Sequence, residues 1–284
     1  MDFSAITTTK PLRMLPAFEA SQLRAADFPG STMSPFVMVD HFRMYERTFE
    51  EHPHAGISAV TLMFEDTTQE MVSIDSLKHV ARFGAGDLHW TLAGRGITHN
   101  QMPAAKAGVI HALQIFVNLP PGMKDMAPDS FLVSGRDMPV VKQDGLRIRV
   151  VAGRLGAYTS PAPLPQPVLM LDATADGEGG RLALPLDVAT NALIIPIKGE
   201  VRLPDGRTLK AGEAVAATNR DTAAPLMIEA GADAHFVVLA GPDDPSPLVS
   251  NGPFVYPTIE DLRAAEARYR AGEFGHCPPV PPSA

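Results

Sequence analysis

Residues that break helices occur along the whole chain: 27 prolines and 23 glycines in 284 residues, scattered and not gathered into one tract. Proline removes a backbone donor and fixes φ, and glycine weakens any helix it interrupts, so long helices cannot be sustained at that density. Short strands joined by tight turns can be. The runs between the breakers agree. From Phe36 to Asn118 they read FVMVDHF, SAVTLMF, TQEMVSI, LHWTL, ITHNQ and HALQIFVNL, with turns at 83–87 (FGAGD) and 93–96 (AGRG). A second strand-rich stretch runs from Val168 to Ala240 and holds a hairpin turn at 204–207 (PDGR). The clearest helical pattern is TIEDLRAAEARYRAG (258–272), with Thr258 as N-cap, Asp261 at the capping-box position and Gly272 as stop.

The chain therefore reads as mostly β with a terminal helix. Looser sequence after Pro120 and the extended YTSPAPLPQPV (158–168) divide it into two β domains, 1–135 and 136–284. FGAGDLHW (83–90) and LKAGEAVA (209–216) each read as a turn leading into a strand, which suggests two similar units. The helix is expected to pack across them through Leu262, Ala265 and Tyr269.

Composition narrows the function classes. A single cysteine, Cys277, excludes an intrachain disulfide, and no basic-then-apolar leader is visible at the N-terminus, so a cytoplasmic setting is expected. A net charge of −8 speaks against direct nucleic-acid or anionic membrane partners, and no run is long enough to span a bilayer. Cys277 has only the adjacent His276 as an obvious base and is a poor nucleophile candidate. No P-loop, Rossmann fingerprint or Ser-His-Asp order is present.

The chemistry concentrates in two short stretches. EEHPHAGISAV (50–60) places His52 and His54 two residues apart, on one face if the backbone is extended. Continued through SAVTLMF, that face would include Ser58, Val60, Leu62 and Phe64. GDLHWTLAGRGITHNQMP (86–103) places His99 and Gln101 at the same spacing. Each pair spans roughly 6–7 Å along its strand, so adjacent strands can converge all four side chains on one ion. Imidazole suits iron, nickel, manganese, copper or zinc, whereas an amide oxygen is a weak, neutral ligand. His89 and His111 read as core or surface histidines, and Trp90 as packing.

HPHAG (52–56), GDLHWTLAGRGITHNQMP (86–103), LQIFVNLP (113–120) and NGPFV (251–255) resemble the pirin family of bicupins, in order, from about Phe36 to the terminal helix. The resemblance implies two stacked cupin β-barrels with one divalent metal, most often iron, in the N-terminal barrel. It also implies flavonol (quercetin) 2,3-dioxygenase activity in some members and metal-dependent regulation through partner proteins in others. The family's metal ligands fall on His52, His54 and His99. Its fourth ligand, a glutamate, is replaced by Gln101; its arginine after H-P-H is Ala55, and a following glutamate is Ser58. Asp40 and Gln114 fall where pocket-lining residues stand.

Gln101 leaves the cage without negative charge and without the carboxylate that could deprotonate a flavonol hydroxyl. The resulting expectation is an oxygenase of a small enolic or aromatic compound, weakened at Gln101. A non-catalytic metal-binding protein acting through a protein partner, and a degenerate bicupin with an empty site, stand as alternatives. The second barrel contributes only His235 and is expected to hold no metal.

Overall fold

The computed structural model describes residues 1–12, 17–28 and 33–279. Strands dominate it, and the one α-helix among the described residues, Ile259–Arg270, begins and ends on its local signals. The Thr258 hydroxyl accepts the Asp261 N–H, and Gly272 takes a positive φ of 79° just beyond the last turn. The PDGR segment closes a hairpin between Glu200–Arg202 and Thr208–Lys210.

Contacts divide the chain into two compact units whose terminal segments are exchanged. One comprises Pro11–Gln22, Met38–Arg136 and Asp244–Ala284; the other comprises Met1–Lys10, Leu23–Val37 and Asp137–Asp243. The crossing at Arg136–Asp137 lies beside the division at 135/136 read from the sequence. The exchange itself is non-local. Asp2–Phe3 and Thr7–Thr8 pair with Glu213–Asn219, while Ala55 bridges to Phe254, which brings the helix to the first unit. Leu262 and Ala265 are buried there with Ala55, Phe254, Tyr256 and Phe274, so the helix completes one unit where packing across two was expected.

In this first unit a seven-stranded sheet runs in the order Asp129–Val133, Leu88–Leu92, Ile57–Met63, Ile110–Asn118, Phe36–Met44, Phe18–Arg24, Lys10–Pro11. It faces a four-stranded sheet ordered His52–His54, Ile97–Pro103, Met71–Asp75, Val80–Phe83. Phe18, Phe42, Met44, Met63, Ile110 and Ala112 from the first sheet meet Met71 and Phe83 from the second in one core cluster. The sheets hydrogen-bond as separate open sheets, which together make a two-sheet sandwich.

The second unit repeats the plan, with an eight-stranded and a four-stranded sheet. Its main core cluster is built from Leu, Ile, Val and Ala with Phe236. On the opposite face of its large sheet lies a buried charge pair: Arg149 Nε donates to Asp172 Oδ2 at 3.0 Å, and His235 Nε2 lies 2.6 Å from Asp172 Oδ1. Burial pushes the Asp172 carboxyl up, but His235 and Arg149 outweigh it and hold it below the ordinary value of 3.8. A depressed carboxyl stabilises the fold fully above its unfolded value, and that contribution is lost as pH falls through the lower folded value. Asp172→Ala leaves the Arg149 charge buried and is expected to cost about 3–5 kcal/mol in urea unfolding at pH 7. That deficit should shrink as the pH of the titration is lowered below 4; a loss under 1 kcal/mol at pH 7 would contradict this account.

Candidate metal centre

His52, His54 and His99 meet at one point between the two sheets. His52–His54 is an edge strand paired with Ile97–Pro103, and the register sets His52 opposite His99. His99 Nε2 lies 2.9 Å from His54 Nε2 and 3.1 Å from His52 Nε2. Among the described residues this is the one group of three or more His, Cys, Asp or Glu side chains with ligand atoms mutually within 4.8 Å.

The convergence depends on a break that the sequence does not announce. Between His54 and Ile57 the chain leaves one sheet for the other. Gly56 takes φ 75° there, and a Cβ on it would lie 2.0 Å from the Val255 carbonyl oxygen, so only glycine fits. The two histidines therefore do not share a face with Val60 and Leu62. The inward face of Ile57–Met63 is that of Thr61, which sits in register between His89 and Gln114.

This correction changes the meaning of two substitutions. Ser58 follows the parity of Val60 and Leu62, away from the inward face, and its buried hydroxyl has no hydrogen-bond partner. Ala55 is fully buried against the helix cluster. Of the three positions that depart from the family pattern, only Gln101 faces the histidines' side of the sandwich.

The segment is held from behind by Lys124, a residue that nothing in its loop LPPGMKDM singles out. Its ammonium donates to Gly56 O at 2.8 Å, Asn118 Oδ1 at 2.8 Å and Val255 O at 3.0 Å. Burial pushes its pKa down to about 8, with Asp244 opposing the shift.

The protonation states suit a cation. Burial holds the His54 and His99 imidazoles well below the ordinary histidine value, and the neighbouring rings lower them further. Burial also lowers His52, against the opposing effect of the hydrogen bond its ring donates to the Glu50 backbone. His52 Nδ1 donates to the Glu50 carbonyl at 2.8 Å, which leaves its Nε2 lone pair aimed at the other rings. His54 Nδ1 and His99 Nδ1 are buried with no hydrogen-bond partner. Neutral rings with nitrogens packed this closely lack enough protons to pair them all, and a cation resolves that. Two metal–nitrogen bonds of about 2.1 Å at a right angle would place the nitrogens about 3.0 Å apart, close to the two observed separations. The residues fit a divalent ion.

Gln101 stands on the same strand face as His99, two residues on. Its Oε1 lies 3.4 Å from Thr61 Oγ1, and its Nε2 lies 3.4 Å from His89 Nδ1, so it reaches across to the opposite sheet. Both contacts are long and hold the amide loosely. His89 is stacked on Phe83 at 4.8 Å, and burial pushes its pKa down to about 4, with Asp75 opposing the shift, so the ring is neutral at pH 7. Asp75, paired in register with His99, directs its oxygens at the Leu77 and His79 N–H groups and the Ser130 hydroxyl, and so supplies no fourth ligand.

Asp40 and Gln114 lie on the inward face of the large sheet. Asp40 shares the parity of the core residues Phe42 and Met44, and its Oδ1 accepts from Gln22 Nε2 at 2.6 Å. Gln114 Oε1 accepts from Thr61 at 3.0 Å. Gln114 and Phe116 are the only half-buried residues of an otherwise buried strand, and both face inward, as do half-buried Asp40 and Gln22. Solvent therefore reaches the inner face on that side, where the Phe116 ring stands 5.1 Å from that of His54.

Two facing-sheet units with a three-histidine centre in one of them define a bicupin with a candidate mononuclear metal site. The Pirin family profile matches residues 18–117, and the Pirin C-terminal cupin domain profile matches residues 170–275. The chain belongs to the pirin family. Mouse pirin is 30% identical over 255 residues, covering 86% of this chain and 83% of that protein. A crystal structure of quercetin 2,3-dioxygenase from Acinetobacter baumannii superposes with a TM-score of 0.83 at 24% identity, covering 96% and 98% of the two chains. A bacterial pirin from Escherichia coli, solved in complex with nickel(II), does so with a TM-score of 0.66 at 15% identity, over 86% and 100%. No helix among the described residues is long and apolar enough to cross a membrane.

Proposed function

We propose that this chain binds one divalent first-row ion, iron by expectation, through His52, His54 and His99, and acts as an oxygenase on a small enolic, flavonol-like compound. The observation that carries the reading is the convergence of three neutral Nε2 atoms at 2.9 and 3.1 Å. That the two solved relatives are a quercetin 2,3-dioxygenase and a pirin in complex with nickel(II) supports it. When bound, the ion would supply Lewis acidity and redox chemistry at the substrate's oxygens. The protein's own part follows from its residues. Three neutral imidazoles leave the ion's charge uncompensated, so the site favours an anionic substrate. Thr61 and Gln114 on the inner face would orient that substrate, which would enter from the half-buried side of Gln114 and Phe116, while the Asp40 carboxylate would keep its charged end toward the ion. Gln101 can accept or donate a hydrogen bond but cannot take a proton, so the substrate must ionise without help from that position.

The lack of a carboxylate at 101 favours one further reading: a metal-binding protein that acts through a protein partner without turnover. Metal analysis and oxygen uptake separate the two. Untagged protein reconstituted anaerobically with iron(II) is expected to hold close to one equivalent, and less than a tenth would sink the metal reading. With flavonol and air, loss of flavonol absorbance matched by oxygen uptake is expected; a loaded protein without either would favour the partner reading.

A further inference from the structure

His52 is the weak member of the centre. His54 and His99 are buried at 3% and 2% exposure, while His52 is half-buried at the free end of a three-residue edge strand. Apart from its 3.1 Å contact with His99 Nε2, its ring is hydrogen-bonded to Glu50 O, two residues back in the same segment. What fixes the start of that strand is the residue between them. The Glu51 carboxylate accepts the Cys277 N–H at 3.1 Å through Oε2 and meets His276 Nδ1 at 3.1 Å through Oε1.

The partner segment is itself well attached, and at the other ligand-bearing strand. Thr98, adjacent to His99, donates its hydroxyl to Gly275 O at 2.8 Å. The Cys277 thiol donates to Ile74 O at 3.3 Å and packs with Val72, Ile74 and Met102 on the outer face of the small sheet. Phe274 lies over Gly96, where a Cβ would come within 2.2 Å of its ring. Residues 274–277 thus cross the outside of the sheet from the His99 strand to the threshold of the His52 strand. They add no strand of their own.

We propose that Glu51 is a positioning residue for the metal centre, and that Phe274–Cys277 is the strap through which it acts. The strap holds His52 against His99, so the third imidazole is in place only while the tail is docked. This inference rests on the metal reading of the three histidines. Loss of such an outer partner typically weakens metal affinity about 10–100-fold.

The test uses the full chain and cobalt(II) as probe, with affinity from chelator competition and geometry from the visible ligand-field spectrum. Glu51→Ala is expected to weaken cobalt binding about 10–100-fold and change the spectrum, with little change in the metal-free thermal midpoint. Cys277→Pro, which removes the N–H that Glu51 accepts, should do the same. The double variant should be no weaker than Glu51→Ala alone, because that substitution already removes the contact Cys277→Pro cuts, together with the one to His276. Glu51→Gln keeps an acceptor oxygen and should restore near-wild-type binding. Unchanged affinity in Glu51→Ala, or fully additive losses, would overturn the proposal. Failure of the metal reading shows separately, as wild-type protein that takes up no cobalt. The strap is then judged on metal-free protein by imidazole nitrogen NMR. One His52 environment in wild type should become broadened or split in Glu51→Ala while His54 stays sharp; an unaltered His52 signal would overturn it.

Discussion

Replacing His99 by alanine is expected to abolish metal uptake while leaving the protein folded. Both short contacts within the trio run through His99 Nε2, at 2.9 Å to His54 and 3.1 Å to His52. Without it two imidazoles remain, one of them at the end of an edge strand. The loss in affinity should exceed the roughly 10–100-fold that follows loss of an outer-shell partner. Large-to-small core substitutions commonly cost about 2–5 kcal/mol, but here part of that cost is offset. His99 Nδ1 is buried without a partner and its Nε2 faces two other ring nitrogens, so the metal-free protein sheds unfavourable polar contacts along with packing. A ligand that binds only the folded state at a hundred times its Kd adds about 2.7 kcal/mol. Saturating nickel or cobalt should therefore raise the wild-type thermal midpoint and leave that of His99→Ala where it was. An equal rise in both proteins would mean that the ion binds elsewhere.

What could be read from the sequence was whatever is decided locally. The helix was legible because Thr258, Asp261 and Gly272 cap it within its own turns, and the PDGR hairpin for the same reason. The i, i+2 spacing of His52 with His54, and of His99 with Gln101, survives as shared strand faces. The face beyond His54 was not legible. A glycine in an apolar run is compatible with continued strand, a bulge or a turn, and the choice at Gly56 is made by the Val255 carbonyl, about two hundred residues away in the chain. Lys124 was hidden by the same cause: in sequence it is an ordinary loop lysine, and only the closure of Gly56, Asn118 and Val255 around it makes it a buried clamp. The family pattern marked Ala55 and Ser58 as charges lost from the site. Parity and burial show that only Gln101 bears on it, and the exchange of terminal segments between the units leaves no local trace at all.

Gln101→Glu is the second large effect, and its sign differs between the metal-free and loaded protein. The amide now bridges Thr61 and His89 through contacts of 3.4 Å, in a pocket of neutral groups. A carboxyl placed there without metal gains no opposite charge, so burial should push its pKa up and favour the protonated acid. Binding a divalent ion then releases that proton and adds an anionic ligand to three neutral ones. Wild-type affinity should vary little above pH 7, because the three imidazoles are already neutral there and glutamine does not titrate. The variant should bind more tightly, and its affinity should climb about tenfold per pH unit until the raised carboxyl value is passed, then level off. The loaded variant also regains a base beside the ion, so flavonol loss and oxygen uptake should exceed those of the loaded wild type, by about 10²–10⁴-fold if proton removal limits the rate. Calorimetric titration with nickel at three pH values decides the first part. Equal affinity and equal pH slopes in the two proteins would show that position 101 lies out of the ion's reach, and that the neutral cage owes its character to the histidines alone.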